Sequence, residues 1–75
     1  MKQIIEGFLY DTDTAEQIYI ETQRNVGYYM TSKRKFFVAY STGEIRVVNE
    51  TFVRDFLGKH DINKYIEIFG EPQEG

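Results

Sequence analysis

Few side chains in this sequence have a type and spacing suited to chemistry. Lys33-Arg34-Lys35 is a concentrated cationic run at a strand-to-strand connection, read first as a solvated turn and second as a phosphate contact. Asp11 and Asp13 alternate like the first ligands of a calcium loop. However, Ala15 fills the next ligand position, and Glu16 stands where the sharp-turn glycine belongs. Their side chains are better suited to bonding their own backbone in a turn. His60 is the single histidine, and its place between two short helices suits interaction with a helix C-terminus. There is no glycine-rich phosphate loop, no serine nucleophile elbow and no metal-spaced histidine pair. The remaining carboxylates are scattered one per turn or loop. The expectation is a chain with no catalytic residue, no metal and no cofactor.

Charge adds a constraint on partners. The formal net charge is -3, and residues 1–35 balance five basic against five acidic side chains. Residues 36–75 hold four basic and seven acidic. A general nucleic-acid binder is normally basic overall. Seventy-five residues make one small domain, which buries only about 60% of its unfolded surface. Six Phe and six Tyr can fill such a core, because rings bury large areas with few rotatable bonds. No Cys is present to supply disulfides or thiolate metal sites. Without a signal peptide or a long apolar run, the expected setting is the cytoplasm, with no membrane contact.

The elements that must position these groups are legible as period-two and helical patterns. Residues 1–10 read as a first strand bent at Gly7, followed by an Asp11–Ala15 turn. Ile18 and Ile20 alternate with Gln17, Tyr19 and Glu21, and Gln23-Arg24-Asn25 makes a hairpin loop. Val26, Tyr28 and Met30 share a face opposite Gly27, Tyr29 and Thr31. Ser32-Lys33-Arg34 then turns the chain into Lys35–Tyr40. Thr42-Gly43 is read as the next turn, with Ile45 and Val47 alternating after it. Asn49 caps a helix whose stripe is Phe52, Val53, Phe56 and Leu57, with Gly58 as its stop. Asp61 caps a second helix carrying Ile62, Tyr65, Ile66 and Phe69, and Gly70 with Pro72 ends it.

These readings give an α+β domain over residues 1–70 with a frayed acidic tail at 71–75. Four to five strands form an antiparallel meander, followed by two short C-terminal helices packed on one face. The expected core is Phe8, Ile18, Ile20, Tyr28, Met30, Phe36, Val38, Ile45, Val47, Phe52, Phe56, Ile66 and Phe69. Alternation then turns Tyr19, Tyr29, Phe37 and Arg46 to the other face as a partner-binding surface. The N-terminal segment or a second copy of the chain, in a homodimer, are alternative covers for that face.

Tyr10-Asp-Thr-Asp-Thr-Ala-Glu16 and Lys64-Tyr-Ile-Glu-Ile-Phe-Gly-Glu71, with a loose match over Tyr29–Phe37, resemble a group of small proteins of unassigned function. These are encoded by phages and mobile elements of Gram-positive bacteria. The centre of this chain is shorter and lacks their Gly-rich insertion. The resemblance implies a compact strand-plus-helix fold and carries no catalytic residue across. Together with the acidic second half, it points to a non-enzymatic interaction protein. A host or defence protein is the expected partner, for example a nuclease inhibited in the manner of an anti-CRISPR protein. The alternative is a nucleic-acid module built on Lys33, Arg34, Lys35 and sheet aromatics. A small enzyme is the third and least supported reading.

Overall fold

A computed structural model describes all 75 residues. The chain is an α+β domain with six strands and two helices. A two-stranded ribbon, β1 (Lys2–Ile5) and β2 (Phe8–Asp11), precedes a meander in the order β3-β4-β5-β6. The meander strands are β3 (Glu16–Glu21), β4 (Val26–Met30), β5 (Phe36–Ala39) and β6 (Ile45–Val48), and every pairing is antiparallel. Helices α1 (Glu50–His60) and α2 (Ile62–Phe69) follow and cover one face.

The expected first strand is two strands. Glu6 and Gly7 both take positive φ, 52° and 82°, between the paired residues Ile5 and Phe8. That is the conformation of a two-residue hairpin turn whose twist matches the strands it joins. The ribbon folds over the meander face away from the helices. Tyr10 there joins Phe37, Ala39 and Ile45 in a second, smaller core, with Ile5, Ala15 and Tyr29 packed around it. Asp11 is buried, and its carboxylate accepts the Asp13 N–H at 2.9 Å while its carbonyl accepts from Ala15 at 3.0 Å. Asp11 is therefore a turn-former.

The two later hairpins share one geometry. Residues 32–34 and 41–43 are three-residue loops in which the third residue is left-handed: Arg34 at φ 60° and Gly43 at φ 95°. In each, the third residue's N–H bonds back to the residue before the loop, Arg34 to Thr31 at 2.9 Å and Gly43 to Tyr40 at 2.9 Å. A two-residue Thr42-Gly43 turn would have paired Val38 with Val47. The extra loop residue instead pairs Val38 with Arg46 and Ala39 with Ile45. A one-residue slip moves every side chain to the opposite face. Ile45 is thus buried under the ribbon, Val47 is left 41% exposed beside it, and Arg46 lies on the helix face.

The helices are capped as their sequences require. Asn49 Oδ1 accepts the Phe52 N–H at 2.8 Å, and Val48 packs against the core that contains Val53. Gly58 does not end α1, which continues to His60. Asp61 closes both helices at once: its N–H bonds to the Leu57 carbonyl at 2.8 Å and its Oδ1 accepts from Lys64 at 3.1 Å. Val53 and Leu57 seal the main core against Ile18, Val26, Tyr28, Phe36 and Val38. From α2, Tyr65, Ile68 and Phe69 pack against it, so Ile68 takes the place expected of Ile66. Four other expected core residues lie substantially exposed, namely Phe8, Ile20, Val47 and Phe52.

Candidate interaction surfaces

The four residues assigned to one partner-binding face are divided between the two sides of the sheet. β3 carries a bulge between Gln17 and Tyr19: Gln17 opposes Tyr29, whereas Tyr19 opposes Tyr28. The additional residue is Ile18, so Ile18 and Tyr19 both reach the helix side and Ile20 is turned away from it, 47% exposed. Arg46 is also on the helix side, by the register of β6, and bonds Glu44 at 3.3 Å. Only Tyr29 and Phe37 occupy the face expected. They stack at 5.1 Å between centroids, and Phe37 is fully buried under Tyr10, edge-on at 5.5 Å. The Tyr29 ring also lies close over Gly27, where a Cβ would come within 2.7 Å of its Cε1. The ribbon, one of the two covers considered for this face, closes it.

The helix side instead carries an aromatic row. Phe52, Phe56 and His60 recur every four residues along α1, and therefore stand one above another on a single flank. Phe56 is the hub: it stacks on Tyr28 at 4.3 Å, meets Tyr19 edge-on at 5.0 Å and contacts His60 at 4.5 Å. Phe52 continues the row at 6.3 Å from Phe56 and is 44% exposed. His60 is exposed and Tyr19 is half-buried beside it, 6.1 Å away. Burial pushes the Tyr28 phenol above its usual range, and the nearby Glu21 carboxylate adds to the effect. Glu21 itself is held below the usual carboxylate range by its hydrogen bond from Arg24 at 2.7 Å.

Helical periodicity alone assigns Phe52 and Phe56 to the core and His60 to a helix end. The four-residue spacing of these three residues is the sequence signal for the row. Tyr19 joins the row only through the bulge, and no residue type announces that bulge.

The cationic run is split as well. Arg34 turns toward α2, donating Nη2–H to the Ile68 carbonyl at 3.0 Å, with its guanidinium 5.9 Å from the Phe69 ring centroid. Arg54 lies over the same ring at 4.4 Å. Arg34 therefore serves as a clamp on the end of α2. Lys33 and Lys35 line a cleft on the ribbon side, where Lys35 Nζ sits 4.3 Å from the Phe8 ring centroid.

No three His, Cys, Asp or Glu side chains come together as a set able to hold a metal ion. No helix is long and apolar enough to cross a membrane. Searches against protein-family models, curated proteins and solved structures return no match to this chain.

Proposed function

We propose that this chain is a non-enzymatic protein-interaction module of phage or mobile-element type, working in the bacterial cytoplasm through the α1 aromatic row. The observation that carries this reading is the row itself: Phe52, Phe56 and His60 in register beside Tyr19, with Phe52 and His60 open to solvent. Aromatic side chains held rigidly by neighbours lose little entropy on binding and are enriched among interface hot spots. Arg46, of another hot-spot type, is on the same side of the sheet.

The acidic balance of residues 36–75 favours a partner with a basic surface, such as the nucleic-acid channel of a defence nuclease. Inhibition of such a nuclease is the specific activity proposed.

The test compares wild type with Phe52→Ser and His60→Ala in capture from a Gram-positive host lysate and in nuclease inhibition assays. Phe52 and His60 are surface positions, and unchanged circular dichroism checks that the fold is retained. The expected result is one nuclease retained and inhibited by wild type, with both effects lost in Phe52→Ser. A dimer in sedimentation that Phe52→Ser dissolves, with no nuclease bound, would replace the host partner with a second copy of the chain. Equal behaviour of all three proteins would overturn the reading.

A further inference from the structure

A second site lies on the opposite side of the sheet and does not depend on the aromatic row. A cleft of about 470 Å³ opens between the tip of the β1–β2 ribbon, the Asp11–Ala15 turn and the β4–β5 loop. Its ten lining residues include two lysines and no carboxylate. That exclusion is informative in a chain with twelve acidic residues and a net charge of -3. Arg24, Arg46, Arg54 and Lys64 are all ion-paired, but Lys33 and Lys35 have no carboxylate partner. No carboxylate lies within ion-pair distance of either ammonium in the cleft.

The other polar groups match an anion too. Thr14, Thr31 and Ser32 bring hydroxyls to the wall. Thr31 Oγ1 already accepts the Lys35 N–H at 3.1 Å, which leaves its own O–H to donate. Phe8 supplies a ring to the same wall and is 43% exposed despite the Lys35 ammonium over it. A volume near 470 Å³ lies inside the span of about 300–1,000 Å³ usual for small-molecule sites.

We propose that this cleft binds a phosphorylated nucleotide. The phosphate lies between Lys33 and Lys35 with the Thr31 and Ser32 hydroxyls donating to it, and the base stacks at Phe8. Ammonium and hydroxyl donors suit phosphate oxygens, and any base has a π-face for an aromatic side chain. The nucleotide can come free in solution or as one unit of a single strand, and the two sources are separable by experiment.

Amide chemical shifts of the labelled protein are followed while adding inorganic phosphate, thymidine monophosphate or a short oligo(dT). Thymidine monophosphate is expected to shift Phe8, Thr31, Ser32, Lys33 and Lys35, leave α1 unmoved and bind about tenfold more tightly than phosphate, the value of one base–aromatic stack. Lys33→Gln with Lys35→Gln is expected to weaken both ligands, and Phe8→Ala to weaken the nucleotide alone. If the double variant does not fold, Lys33→Gln carries the test, because Lys33 is exposed. Tighter binding of oligo(dT) through the same residues assigns the strand as source, and equal or weaker binding assigns the free nucleotide. Absence of shifts in the cleft with all three probes overturns the proposal. Phosphate binding as tightly as the nucleotide, with Phe8→Ala silent, overturns it equally.

Discussion

On the helix side of the meander, seven buried side chains including Leu57 form one core; on the ribbon side, four including Phe37 form another. β5 is the wall between them, sending Phe36 and Val38 one way and Phe37 and Ala39 the other, and all four of its residues are buried. The covers are fixed differently. The helices are held by caps, by the Arg34 bond to Ile68 and by Lys64, which reaches Glu16 at 3.1 Å and Glu67 at 2.9 Å. The ribbon forms a separate two-stranded sheet and is anchored to the meander by side-chain packing, with Tyr10 at its centre. An isolated two-stranded ribbon is marginal in water. It should therefore be the part that detaches first.

The severest test removes one buried side chain from each side. Phe37→Ala and Leu57→Ala each delete a side chain with no exposed surface. Each should cost about 3–5 kcal/mol, against a total of roughly 4–11 kcal/mol for a domain this size. Chemical denaturation should find a large and similar loss of stability in both variants. A mild loss in Phe37→Ala alone would mean that the ribbon side contributes little.

Tyr10→Ala sharpens the comparison, because it loosens the ribbon while leaving every meander residue in place. The expected result is hydrogen-exchange protection lost across Lys2–Asp11 and retained in β4 and β5. Simultaneous loss everywhere would show that the two sides unfold as one unit.

Much of this division is legible in the sequence. The helix caps at Asn49 and Asp61 and the β4–β5 register follow from local residue types acting over a few positions. The side assignments of Tyr19, Ile20, Ile45, Val47 and Arg46 do not. Each depends on a single added residue, at Ile18 in the bulge or in the 41–43 loop, and period-two alternation amplifies such an addition into a change of face. The fate of Phe37 is equally hidden, since it depends on Glu6 accepting a left-handed conformation more common for Asn or Gly. Of the cationic run, residue types locate the charge but cannot separate the clamp, Arg34, from the two free lysines.

Arg34 offers the next test. It occupies the left-handed position that Gly43 fills in the sister loop, at a conformational cost of about 1–2 kcal/mol for a residue with a Cβ. Arg34→Gly removes that cost and the α2 clamp together. A net change within about 1 kcal/mol is expected, with faster exchange at the end of α2 as the specific sign. If α2 exchange is unchanged, Arg34 is no clamp.

Lys64 gives a smaller, pH-dependent effect. Its hydrogen bond to Glu67, supported by Glu16, holds its pKa above the ordinary lysine value of 10.5. Its contribution is therefore complete below that unfolded value and is lost as pH rises through the folded one. Lys64→Met should remove about 0.5 kcal/mol at neutral pH, as expected for partly exposed ion pairs, and flatten the alkaline limb of a stability profile. An alkaline limb identical to that of wild type would count against the tether.

The mildest change strengthens the helix side. Gly58 lies inside α1, exposed, and a Cβ added there would meet nothing within 4 Å. Gly58→Ala should stabilise the protein by about 0.5–1 kcal/mol in thermal denaturation.

The bulge at Ile18 has a consequence for solubility. β3 is an outer strand of the meander, and its unpaired edge would be a template for β-addition by another molecule. A bulge disrupts the regular spacing of hydrogen-bonding groups and increases local twist, so an incoming straight strand meets a mismatched edge. The irregularity that turns Tyr19 toward the helices therefore also discourages fibril growth along this edge, in a chain that already exposes Ile4 and Leu9 on its ribbon.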